Sequence, residues 1–261
     1  MKKISALLSI CSLIALFSCT SPSGVDITKH FDANFNYYRL EVSDGMNVTV
    51  SDAAKDIVIT GDENIMEKLV VKHSGSTLQI YRKDVSLMYL STCTVTLPYN
   101  SHLTDVRVRS NSEFHTDYGL EGDEVDVLAE NHSRFYGYLR ADIIELKVKD
   151  HSDVSIDFDA ESLAYVEIKE SSNARLEGYA HKVNLEMNDN SVLEKRWNGS
   201  LYAFMCDFCQ GHMNDNCKAY IDCEESISMT LTNNSYLYYT SDPYIGDSSV
   251  DPSSGMTYDG Y

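Results

Sequence analysis

The feature that most constrains this chain is a serine that recurs about every twenty residues through its second half. Ser112, Ser133, Ser152, Ser172, Ser191 and Ser235 are separated by 21, 19, 20, 19 and 44 residues. Six places before each stand Val106, Val127, Leu146, Val166, Leu185 and Met229, and four before stand Val108, Ala129, Val148, Ile168, Met187 and Leu231. Two places after stand Phe114, Phe135, Val154, Ala174, Leu193 and Leu237. Each unit therefore reads strand, polar turn, strand. A unit of this size cannot bury its own apolar face, and stacking identical units solves the problem. The expected fold is an all-β solenoid with two strands per rung and like residues stacked about 4.8 Å apart. A sandwich of hairpins also alternates in hydropathy, but it does not require one column of like residues at constant spacing.

The half before the repeat reads as strands as well. Tyr38-Leu40-Val42 and Met46-Val48-Val50 alternate around the turn signal Ser43-Asp44-Gly45, which predicts a hairpin. Ile57-Ile59, Val70-Val71, Leu78-Ile80 and Cys93-Val95-Leu97 continue the period, and residues 63–69 read as one short helical turn after Gly61-Asp62.

The first residues carry an address. Lys2 and Lys3 precede a mostly apolar stretch ending in Leu16-Phe17-Ser18-Cys19. That stretch is too short to span a membrane and has the organisation of a secretory signal. A small residue before cysteine resembles the lipobox of bacterial lipoproteins, which implies cleavage after residue 18 and lipid on Cys19. The resulting expectation is a signal peptide over 1–18, a tether over 19–34, one solenoid domain over 35–240 and an acidic, Tyr-rich tail or cap over 241–261. Residues 35–100 would form the N-terminal strands and 101–240 the repeats. The protein would be exported and held by lipid at the cell envelope, at the outer membrane.

Asp and Glu outnumber Lys and Arg 40 to 21, for a net charge of −19. Such a chain repels phosphate backbones, which argues against nucleic-acid binding. Three residue sets could carry chemistry. Cys206, Cys209, Cys217 and Cys223 lie with His212 where the serine period breaks. They read as disulfide candidates in an exported protein, as small core residues, or as half of a weak zinc site, with Cys93 left over. Asp153, Asp157 and Asp159 share one strand face with Arg175 one rung on, which suggests calcium, a carboxylate pair, or plain solvent exposure. Tyr136, Tyr138, Tyr236 and Tyr238 are the candidate recognition surface, with cross-strand packing as the alternative. No catalytic residue and no cofactor or metal ligand set stands out.

Several stretches are similar to one known family. Leu40-Glu-Val-Ser-Asp-Gly-Met-Asn-Val48, Ile57-Val-Ile-Thr-Gly-Asp-Glu-Asn-Ile65, Leu78-Gln-Ile80 and Val95-Thr-Leu-Pro98 resemble the auto-transporter adhesin head GIN domain, a family of Bacteroidota lipoproteins. The resemblance covers roughly residues 35–240. It implies a right-handed, pectin-lyase-like β-helix and a non-catalytic, adhesion-like role toward a glycan or an envelope protein. Homo-oligomers through the solenoid edges are compatible with that role. The pectin-lyase-like shape also admits a polysaccharide lyase or hydrolase. The family's Gly-Ser-Gly turns are replaced here by Asn-Ser, His-Ser and Asp-Asn-Ser, residues that tolerate left-handed backbone.

Overall fold

A computed structural model describes residues 23–83, 92–194 and 204–259. The expected signal peptide over 1–18 and Cys19 lie outside these residues. The described chain is a β-solenoid of about 7 turns. In its centre the long strands Arg134–Val148, Asp153–Ile168 and Asn173–Met187 lie parallel and in register, so that Phe135 faces Val154 and Val148 faces Ile168. Each long strand bends once at a register shift, for example between Ala141 and Ile143, and this splits the coil into two ladders. All eighteen apolar residues of the three repeat columns are buried inside. Phe114 and Phe135 stack with centroids 5.2 Å apart, as a constant rung spacing requires.

The serine column is buried as well. The two residues before each of the six serines, and before Cys217, are both left-handed, which gives seven successive turns: Ser110-Asn111, Asn131-His132, Asp150-His151, Glu170-Ser171, Asp189-Asn190, Asp215-Asn216 and Asn233-Asn234. This turn points the serine side chain inward, where it does two jobs. Its oxygen accepts the backbone N–H of the serine one rung earlier, Ser133 to Ser152 at 3.0 Å and Ser152 to Ser172 at 3.1 Å. Its hydroxyl donates to the carbonyl three residues back, Ser133 to Glu130 at 2.8 Å and Ser191 to Asn188 at 2.6 Å.

The 44-residue step hides one further rung. Cys217 takes the serine position between Ser191 and Ser235, dividing the step into 26 and 18 residues. Its thiol donates to the Asn214 carbonyl, and its N–H reaches Ser235 Oγ at 3.3 Å. Gly211 replaces the apolar residue six places earlier, facing Leu185 and Met229 in register.

Three expectations are corrected. The strands Arg39–Val42 and Met46–Ser51 do not pair with each other as a hairpin. They form one rung, stacked on 105–115 on one side and on 77–98 on the other. Asp44-Gly45 is the same left-handed turn used by the later rungs, and the Met46 N–H binds Ser112 Oγ at 3.2 Å. The hairpin of this region is Leu69–Ser74 with Thr77–Arg82. Second, residues 26–31 of the expected tether form an antiparallel strand against Ile57–Asp62, which closes that end of the solenoid. The Asp62 carboxylate holds Ser23 Oγ at 2.9 Å and the Gly24 N–H at 2.8 Å, so the chain is already fixed at Ser23. Third, residues 244–258 of the expected tail or cap are not a loose tail: they supply three short strands that continue the ladders, with Ser254 extending the serine column to Ser235. The short helix expected near residue 63 is present as Glu63–Met66, capped by Asp62.

Ser152→Ala leaves the buried Ser133 N–H without its acceptor and should cost about 1–3 kcal/mol. Glu170→Gly relieves a left-handed non-glycine residue and should gain roughly 0.5–1 kcal/mol after the added unfolded-state entropy. Urea denaturation checks both. Equal midpoints for the two variants would contradict this turn.

Candidate recognition surface

The outer faces carry whatever the chain presents to a partner, because every inward column is filled. Tyr136 and Tyr138 do point outward from the ladder after the turn, opposite Ser155 and Asp157. Both rings are half-buried. Tyr138 lies against Gly119 and beneath the Arg140 guanidinium at 5.3 Å, and burial raises the pKa of both phenols. Tyr236 and Tyr238 stand five rungs away, about 24 Å at strand spacing. There Tyr238 stacks on Tyr220 with centroids 4.7 Å apart. The four tyrosines therefore stand in two places and do not form one surface. The exposed rings that sequence reading passed over include Tyr165 at 45% and Tyr179 at 37% exposure. Tyr179 donates to Asp207 at 2.9 Å, and burial followed by that hydrogen bond pushes its pKa up to about 12.

The carboxylates have partners. Asp153 accepts from Asn173 Nδ2 at 2.9 Å, and Asp159 pairs with Arg140 at 3.2 Å. Arg175 faces Ser155 in register and is ion-paired with Glu194 on the next rung. Arg175 thus has a carboxylate partner besides the Asp157 that a lyase reading would use.

The cysteines divide into separate groups. All five described cysteines are buried free thiols. Cys206 faces Cys223 in register and lies within hydrogen-bond reach of both Cys223 and Cys209, while Cys209 Sγ sits 3.9 Å from Met229 Sδ. Cys217 belongs to the turn column, where its thiol is already engaged, so it cannot join that cluster. Cys93 faces Met46 in the rungs near the chain's start. His212 is exposed and turns toward Glu186 at 3.7 Å, away from the thiols. Among the described residues no group of His, Cys, Asp and Glu is placed to hold a metal ion.

A depression on the other outer face measures ≈ 260 Å³. Its two banks are outward columns two residues apart along the strands. Glu145, Tyr165, Asn184 and Gln210 form one bank, and Lys147, Glu167, Glu186 and His212 form the other. Gly211 lies in the floor. The charged bank is internally satisfied: Glu167 binds Lys149 at 3.0 Å and Lys169 at 2.8 Å, and Lys169 also binds Glu186. Burial alone would raise the pKa of Glu167, but the hydrogen bonds from Lys169 and Lys149 outweigh it and hold it low.

Asp126 continues the first bank one rung beyond Glu145. Burial, then the charges of Asp105, Glu145 and Glu124, raise its pKa to about 6, and its Oδ1 is buried without a hydrogen-bond partner among the described residues. A raised acid pKa favours the fold below the unfolded pKa, and that contribution is lost as pH rises through 6. Asp126→Asn should therefore stabilise the protein at pH 8, by about 1 kcal/mol once solvent screening is allowed for, and give no gain at pH 3.5. Thermal melts at the two pH values check this, and a pH-independent difference would contradict it.

Comparison with known proteins agrees with this architecture. A family model described as "Putative auto-transporter adhesin, head GIN domain" matches residues 36–243. The chain is similar in fold to crystal structures of a "putative adhesin" from Parabacteroides merdae ATCC 43184 and another from Parabacteroides distasonis ATCC 8503. Each is 13% identical, with TM-scores of 0.75 and 0.74. Each match covers 90% of this chain, and 96% and 98% of the respective relative. A "putative adhesin" from Bacteroides fragilis NCTC 9343 is 17% identical, with a TM-score of 0.55, over 90% of this chain and 97% of that one. The search of curated proteins returned no match. With that model matching most of its length, the chain belongs to the auto-transporter adhesin head GIN domain family.

Proposed function

We propose that the protein is a non-catalytic, adhesion-like binding module, exported and held at the cell envelope by lipid on Cys19. One observation carries the reading. The outward residues form regular ladders whose charges are spent on each other, as in Lys149–Glu167–Lys169–Glu186, leaving open polar grooves across several rungs. Catalysis of glycan cleavage needs an acid and a base poised at one bond, or a base with a free cation beside it. Arg175 and Asp159, which stand nearest to such an arrangement, are engaged by Glu194 and Arg140. Family membership and the adhesin-like structural relatives support the same role. The secretory pattern of residues 1–18 supports export, and Cys19 would leave the solenoid's outer faces free by holding the chain at one end.

Beads coated with the purified protein should attach to mucin or to bacterial envelope preparations well above beads coated with heat-denatured protein. The same protein incubated with polygalacturonate and calcium should release no unsaturated product absorbing in the ultraviolet. Attachment no greater than the denatured control would contradict the reading. Turnover abolished by Asp157→Asn would replace it with a lyase.

A further inference from the structure

Resting on that reading, we propose that the groove between Tyr165 and His212 is a saccharide-binding site that takes a neutral pyranoside chain running along the solenoid axis. Its banks stand about 6.6 Å apart, two residues along a strand, and cross successive rungs, so the site is a slot open along the axis. Tyr165 is 45% exposed on one bank, beyond the need of any core contact, and offers an aromatic face to the apolar face of a sugar ring. Next to it the amide oxygen of Asn184 is buried with no hydrogen-bond partner among the described residues. An orphaned buried acceptor costs free energy, and a ligand hydroxyl entering the slot would satisfy it.

Gln210 adds a second amide on the same bank, and Glu186 and His212 face it from the other. Paired with the aromatic ring, these groups donate and accept hydrogen bonds to hydroxyls without supplying a net positive charge. The floor is the strand backbone itself, because Leu146, Val166 and Leu185 turn their side chains into the core. Gly211 has φ +147°, and a Cβ there would stand 1.9 Å from the Leu185 carbonyl oxygen. The volume, ≈ 260 Å³, is below that of pockets which engulf whole drug-sized molecules, and it suits a subsite on an extended chain. Charge selects the sugar. Glu145, Glu167 and Glu186 line the slot with Lys147, and their ion pairs with Lys147, Lys149 and Lys169 occupy these lysines, so in a protein of net charge −19 a uronate or sulfate gains no free cation here.

The test is an array of neutral oligosaccharides (β-glucan, mannan and N-acetylglucosamine oligomers) with polygalacturonate and heparin as anionic arms, probed with the full-length protein. At least one neutral series should bind and the anionic arms should not. Tyr165→Ala and Gln210→Ala should each weaken that binding at least tenfold with unchanged melting temperature, and Tyr165→Phe should retain it. Absence of binding to every neutral series, binding confined to the anionic arms, or full affinity in Tyr165→Ala would each overturn the proposal. Attachment of coated beads persisting alongside any of these results would leave the adhesion reading standing while this site falls.

Discussion

The structure depends on the hydrogen bond between the backbone N–H of one turn and the side chain of the next. A solenoid bends its backbone inward at each corner, where ladder pairing is interrupted and a buried N–H costs about 1–3 kcal/mol if left bare. Here two consecutive left-handed residues reverse the chain and deliver a buried serine whose oxygen accepts that N–H from the neighbouring rung. The adjacent amides remain in ordinary ladder bonds, such as Arg134 N–H to Ser112 O and Asp153 N–H to Ser133 O. Because the acceptor comes from the next rung, each turn locks the register of its neighbour. The same contact reaches back to Met46 and forward to Ser254.

This locking decides what the outside can be. With register fixed, every outward residue is placed a strand spacing from its counterpart, and ion pairs, stacked rings and grooves follow columns instead of loops. The Lys149–Glu167–Lys169–Glu186 chain and the Tyr220–Tyr238 stack are consequences of that placement. So is the slot between the outward columns of Tyr165 and Glu167. A scaffold of this kind presents a rigid linear surface, which suits recognition of extended chains more than closure around a reacting bond.

The period-two columns were readable because burial forces apolar residues at fixed offsets, so the core and fold class followed from Val148, Ile168 and their kin. The serines were read as turn markers, and their burial was not, since a buried hydroxyl looks like a solvated one in sequence. The rung at Cys217 escaped because Cys replaced the serine and Gly211 replaced the apolar residue, while extra chain lengthened the step to 26 residues. The early rungs were misread as a hairpin because alternation around Asp44-Gly45 is shared by both geometries, and only the pairing partners at 77–98 and 105–115 distinguish them. At the surface, tyrosine count pointed to Tyr136, Tyr138, Tyr236 and Tyr238, but position decides exposure. Tyr165 faces outward across a slot, whereas Tyr136 lies near His115, Tyr138 packs on Gly119 and Arg140, and Tyr236 and Tyr238 stack with each other and with Tyr220.

Native-state hydrogen exchange at the turn amides tests the central claim most directly. If cross-rung serine bonds hold the solenoid in register, the N–H groups of Ser133, Ser152, Cys217 and Ser235 should exchange as slowly as the strand amides of Val148 and Ile168. Exchange of those four at the rate of exposed loops, with the strands still protected, would contradict it.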